Sequence, residues 1–319
     1  MNTQHPRTMK TGLLLSAMLL AFASAQAATI TVACPAQTIQ AAVDSAQPGD
    51  VINVSGTCTE NVTIRNEKAR VTLDGQNLTT IVGGSSATAL TVRGKGILVR
   101  RFVISGGSIG IHVNRGSNAT IDGNDISMAA KQGVLVNELS NAVITNNNIH
   151  ENQTHGIEIA QNSTARIGYN SGSDAAASPN TIQNNVRRGI QVSNASSAKI
   201  AGNTISGNGN DGVGVFRLSE ADLSSNIIDN NGAVSAGNGV HVSQNSSIQL
   251  GEDNPSGFLD QPNTTMVNNN QYGIKCTLGG VVYGHIGSMN QLNGAVSQFG
   301  GGGTANTLNS NCPSSLLTP

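Results

Sequence analysis

The sequence has no Trp, three Tyr and five Phe among 319 residues, and only 11% of its residues are charged. With so few rings, stacking on sugars is weak and any ligand is held mainly by polar contacts. Lys and Arg number 17 against 18 Asp and Glu, a net charge of −1, so the basic stripe that displaces counterions from nucleic-acid phosphates is missing. No run of Met or His suggests a metal carrier, and no CxxC or Cys/His spacing suggests zinc. Beyond the first 24 residues, no apolar run approaches the ~20 residues that cross a bilayer.

What is abundant is glycine and asparagine, 38 of each, where glycine alone usually makes up about 7% of a chain. Such a composition points toward disorder, but the 37% of residues that are apolar recur periodically, so a core can be buried. Arg7 and Lys10, the apolar run from Gly12 to Ser24 and the small-residue triplet Ala25-Gln26-Ala27 read as an export leader over residues 1–27. The mature chain then begins at Ala28 with 15 basic and 18 acidic residues, a net charge of −3, and is secreted or periplasmic. An uncleaved membrane anchor is the alternative, but the run is short for a span. An oxidising destination lets Cys34, Cys58, Cys276 and Cys312 form disulfides in any of three pairings. The local choice is Cys34–Cys58 with Cys276–Cys312, and buried free thiols are the alternative.

An internal repeat organises the rest. Gly-apolar-x-apolar recurs at Gly110, Gly133, Gly156, Gly189, Gly212, Gly239 and Gly273, at spacings of 23, 23, 33, 23, 27 and 34. In step with it, Asn124, Asn147, Asn180, Asn203 and Asn226 each precede an apolar residue by two. The apolar segments alternate with period two, are rich in β-branched residues and are bounded by Gly, Asn and Ser, so they read as short strands. One such unit cannot bury its own apolar face, so successive units must stack. Three strands per coil of about 23 residues, with one Asn always at the same corner, describe a parallel β-helix. The Asn side chains then hydrogen-bond along the axis in a ladder. About ten coils at roughly 4.8 Å each give a cylinder on the order of 50 Å long.

These Gly-Ile-x-Val and Asn-x-Ile repeats resemble those of the right-handed parallel β-helix family, the pectate-lyase-like superfamily, over about residues 50 to 310. The opening, Thr38 to Ala46, then Pro48 to Val54, then Thr59 to Ile64, is similar to the family's capping helix and first strand. The resemblance implies an all-β, single right-handed parallel β-helix over 28–312, with 28–60 as its N-terminal cap and 313–319 as a tail. A cap has a physical reason, since an open end exposes strand edges and core. The resemblance specifies activity poorly, because the fold hosts lyases, hydrolases, epimerases, esterases and non-enzymes.

In the resembling enzymes the outer face of the Gly-Ile-x-Val strand lines the sugar cleft, which makes its outward row the first candidate site. That row is His112, Leu135, Glu158, Gln191, Gly214, His241 and Lys275, and the residues before each Gly add Gln132, His155, Arg188, Asp211, Asn238 and Tyr272. His155, Arg188, Glu158 and Asp211 are the candidate catalytic groups; His112, Gln191, His241, Lys275 and Tyr272 the candidate substrate-binding ones. A solvated polar face is the plainer reading of the same rows.

Glu158 and Asp211, two coils or roughly 10 Å apart along the axis, suit an inverting hydrolase better than a retaining one. His155 and Arg188 could serve a calcium-free lyase or epimerase as base and carboxylate partner, Arg188 gripping bidentately. No carboxylate cluster of the pectate-lyase kind is present to hold Ca²⁺, so no metal or cofactor is expected, with Ca²⁺ the alternative that lacks such a cluster. Two insertions in register, Tyr169 to Pro179 and Glu252 to Pro262, enlarge one corner and read as neutral loops or as a clamp on an elongated ligand, and a third excursion follows Ile286-Gly287. The expected function is a monomeric, exported β-helix that binds polysaccharide or cell-envelope glycan, or is structural there. The alternative is a polysaccharide lyase, epimerase or hydrolase.

Overall fold

The computed structural model describes residues 27–235, 237–251, 256–261, 263, 269–270 and 273–283, together with residue 1. The leader, Tyr272, the excursion after Ile286-Gly287, Cys312 and the 313–319 tail lie outside the described residues. Within them the chain winds as a parallel β-solenoid, each coil laying three short strands onto the equivalents before and after it. The first stack has nine strands, from Val62–Ile64 to Ile274–Cys276. A second stack includes Asn118–Asp122, Asn141–Thr145, Thr164–Ile167, Ser197–Ala201, Glu220–Ser224, Ser247–Gln249 and Val281–Tyr283. The third includes Asp125–Ser127, Asn148–His150, Thr181–Gln183, Thr204–Ser206 and Ile227–Asp229. In earlier coils the long strands Thr72–Gly83 and Ile97–Gly106 serve both the second and third stacks.

Alternation explains the core. In the first stack, Ile111 and Val113, Ile157 and Ile159, and Val240 and Val242 point inward with no exposed surface, while the residue between each pair points out. Each such aliphatic side chain contributes at most about 1.5–3 kcal/mol of burial. The repeating Gly is required by crowding. A Cβ on Gly133 would stand 2.7 Å from Asn152 Nδ2 and 2.9 Å from the Gly156 carbonyl oxygen.

The expected ladder is present. Nδ2 of Asn124, Asn147, Asn180 and Asn203 donates to Oδ1 of the next Asn at 3.0, 2.9, 2.8 and 3.1 Å, and Asn226 carries the chain on to Asn263 at 2.8 Å. Each of these Asn side chains also donates back to a strand carbonyl, as Asn147 does to Ile121 at 2.9 Å. A second ladder runs along another corner through Asn152, Asn185, Asn208, Asn231 and Asn269. At a third, the hydroxyls of Ser140, Ser163, Ser196, Ser219 and Ser246 each accept from the backbone N–H of the serine one coil earlier. All three corners therefore satisfy buried backbone groups from the side chain of the neighbouring coil.

At the N-terminal end the helix Ile39–Ser45 drops Ile39 and Val43 into the core. Its free N–H groups are met by Thr38 Oγ1, which accepts from Ala41 N, and by the Glu60 carboxylate, which accepts from Ile39 N at 2.8 Å and Gln40 N at 3.0 Å. The Cys34–Cys58 disulfide, 24 residues apart, staples this segment to the first coils, a constraint worth about 3 kcal/mol in the chain-entropy account. Cys276 is also disulfide-bonded. No helix among the described residues is long and apolar enough to cross a membrane.

Candidate functional site

The first stack holds its outward residues in strict register: Thr63, Thr91, His112, Leu135, Glu158, Gln191, Gly214, His241 and Lys275 face out at successive coils. Parallel pairing without a register break makes this row a property of the repeat. Around its middle, side chains from five coils join in one hydrogen-bonded chain. Gln132 Nε2 donates to Glu158 Oε2, and Gln191 Nε2 donates to Glu158 Oε1 at 2.9 Å. Gln191 Oε1 in turn accepts from Arg188 Nη1 at 2.8 Å, and Arg188 Nε pairs with Asp211 Oδ2 at 2.8 Å. Asp211 Oδ1 accepts from the Asn238 side chain at 2.6 Å and its backbone N–H at 3.1 Å, and His241 Nδ1 lies 3.5 Å from Oδ2.

Gly214 is what lets this network close. A Cβ there would stand 2.4 Å from Phe216 Cε2 and 2.8 Å from Arg188 Cδ and Nε. In its absence Arg188 folds across the strand, with its guanidinium carbon 4.5 Å from the Phe216 ring centroid, a cation–π contact. The His241 ring meets Phe216 edge-on, with centroids 5.1 Å apart. Beside them lies a depression of about 200 Å³, lined by Arg188, Gln191, Ser193, Phe216, Arg217 and Gln244. Ser193 Oγ is buried there without a hydrogen-bond partner.

Burial and neighbouring charges together set the electrostatics. Burial would raise the Asp211 carboxyl, but contacts with His241 and Arg188 outweigh it and hold it at about 2. Burial pushes His155 down to about 3, helped by the Arg188 and Arg187 charges, so its ring is neutral; Nδ1 accepts from the Arg188 backbone N–H at 3.3 Å. His112 is likewise lowered, mainly by burial, while its Nε2 lies 2.8 Å from Asn137 Oδ1.

Of the residues singled out from sequence, Glu158, Gln191, Arg188, Asp211 and His241 meet in the network, with His155 behind it. His112 stands two coils before Glu158, and Lys275 follows His241 at the C-terminal end of the row. Arg188 already gives Nε to Asp211 and one Nη1 hydrogen to Gln191, which leaves its second Nη1 hydrogen and both Nη2 hydrogens as donors. Ser193, Phe216, Arg217 and Gln244 were not signalled by the Gly-x-x-x motif because they lie just past it.

Among the described residues, the one His, Cys, Asp and Glu group close enough to hold a cation is Cys34, Cys58 and Glu60. Its two sulfurs are bonded to each other.

The described parts of the two insertions cover one corner on successive coils. Ala177 of the first covers Gly202, where a Cβ would stand 2.3 Å from its own. Phe258 O and Gln261 O of the second accept from the Ser225 hydroxyl and backbone N–H, at 2.8 and 3.0 Å.

No curated protein matches the sequence. The A-module of a mannuronan C-5 epimerase of Azotobacter vinelandii is 15% identical, over 77% of this chain and 90% of that one, at a TM-score of 0.41. An alginate lyase of Paenibacillus sp. str. FPU-7 is 17% identical over 81% and 94%, at 0.42. Tailspike protein 2 of the Escherichia coli O157:H7 bacteriophage CAB120 is 13% identical over 90% and 42%, at 0.48. The model of the right-handed β-helix region matches residues 49–176 and 167–312, which together take in most of the described solenoid, and the chain belongs to that family.

Proposed function

We propose that this is an exported β-helix protein that binds polysaccharide along the outer face of its first stack, without cleaving it. The observation that carries the reading is the depression beside Arg188, where amides, guanidiniums and one aromatic ring converge. Those are the groups that hold sugar hydroxyls and a pyranose face. The network behind them fixes Gln191 and Arg188 before any ligand arrives, which lowers the ordering cost of binding.

The acid–base inventory argues for binding over turnover. A general acid or base works best with a pKa near the operating pH. Asp211 at about 2 and His155 at about 3 are far from neutrality, and both are buried. Glu158 has both carboxylate oxygens engaged by amides. The test is retention of the mature protein in gels cast with uronate-containing and neutral polysaccharides. Gln191→Ala is expected to lose most of the retention at unchanged melting temperature. Full retention in that variant would refute this face as the binding surface.

A further inference from the structure

A second groove lies on the outer face of the second stack, away from the network. It has a volume of about 420 Å³. Its floor is an outward row held in register over five coils: Arg166, Lys199, Asp222, Gln249 and Tyr283. One described residue of each insertion reaches this row. Asp260 of the second lies 3.6 Å from Lys199 Nζ, and Tyr169, the first residue of the other, is buried within the influence of Arg166 and Lys199.

The charges are unevenly satisfied. Lys199 Nζ is neutralised by Asp222 Oδ2 at 2.8 Å and by Asp260. Arg166 has no such partner among the described residues: no ion pair or hydrogen bond engages its half-buried guanidinium. A planar cation free of partners at one end of a groove matches a carboxylate bidentately. From Arg166 to Tyr283 the row rises four coil steps, on the order of 19 Å, the length of a few sugar units. Asp222 in the middle would repel a second anion there but accepts from hydroxyls, as does Gln249. Tyr283, about half-exposed, presents a ring at the far end.

We propose that this groove binds an oligosaccharide carrying a carboxylate on one end unit, with Arg166 holding the carboxylate, Asp222 and Gln249 the neutral sugar hydroxyls, and Tyr283 the distal ring. It is a second site, independent of glycan binding on the first stack.

The test is isothermal titration of the mature protein with glucuronosyl-xylotriose, xylotetraose and free glucuronate. The acidic tetrasaccharide is expected to bind at least about tenfold tighter than either control, and Arg166→Gln to remove that advantage. Arg166 is on the surface, so the variant should fold, and an unchanged melting temperature checks this. Tyr283→Ala should weaken the tetrasaccharide without affecting glucuronate. Equal binding of xylotetraose overturns the carboxylate, equal binding of glucuronate overturns the oligosaccharide, and an unaffected Arg166→Gln overturns the site. Loss on Gln191→Ala instead of Arg166→Gln would place the ligand on the first stack and overturn the groove as well.

Discussion

Replacing Asn203 by Ala tests the ladder from the inside. Asn203 is 1% exposed. Its Nδ2 donates to Asn226 Oδ1, Ile167 O and Ala201 O, and its Oδ1 accepts from the Asn180 backbone N–H at 3.1 Å and Asn180 Nδ2 at 2.8 Å. Truncation leaves the Asn180 N–H buried with no acceptor and removes four further bonds. An orphaned buried donor costs about 1–3 kcal/mol, and Asn180 Nδ2 and Asn226 Oδ1 each keep another partner, so the loss is about 3 kcal/mol. For a chain of this size that corresponds to roughly 6 °C in the thermal midpoint. Thermal denaturation followed by circular dichroism reads it, with exposed Gln153→Ala as a control expected to move the midpoint by under about 1 °C. Equal midpoints for the two variants would refute the claim that the ladder carries stability.

Two further outcomes follow from the network. As pH falls below about 6.5, unfolded His155 takes up a proton that the buried ring refuses until about pH 3, so stability declines across that window. His112, also lowered, adds to the same slope, and Asp211 extends the loss from about pH 4 down to its own value of about 2. His155→Gln should therefore reduce the slope of the melting-temperature profile between pH 6.5 and 4 while keeping the limb below pH 4, and an unaltered profile would count against a buried neutral imidazole. Gly214→Ala should push Arg188 off Phe216, costing about 1–3 kcal/mol of stability and weakening polysaccharide retention, whereas Asn203→Ala should lose stability and keep retention at temperatures where it is folded. Normal retention and stability in Gly214→Ala would mean that the closed network is not what the site requires.

Much of the fold was legible because the repeat encodes register directly. The Gly spacings place His112 through Lys275 in one row, and the Asn spacings place the first ladder, since each coil must present the same groups to the next. The second Asn ladder was hidden by abundance: Asn152, Asn185, Asn208 and Asn231 each follow a ladder Asn by five residues, but in a chain with 38 Asn that offset does not stand out. The Ser ladder tracks the glycines at a constant offset of seven from Gly110–Ser117 to Gly239–Ser246, a regularity that becomes meaningful once the corner is seen to need an acceptor.

The site was legible only in position. That Arg188 spends its donors on Asp211 and Gln191 depends on Gly214 having no side chain and on Phe216, which occurs in one coil and so leaves no periodic trace. The groove from Arg166 to Tyr283 was missed for the same reason: a repeat reveals the residues that recur, and a binding surface is made from those that differ between coils.

The central claim, binding without cleavage, is tested most directly by incubating the protein with uronate-containing and neutral polysaccharides, with and without calcium. The assay follows unsaturated ends, new reducing ends and retention of the protein together. The account predicts retention on at least one polysaccharide with neither product formed. Unsaturated ends would make the protein a lyase, new reducing ends without them a hydrolase acting through Glu158, and either would contradict it.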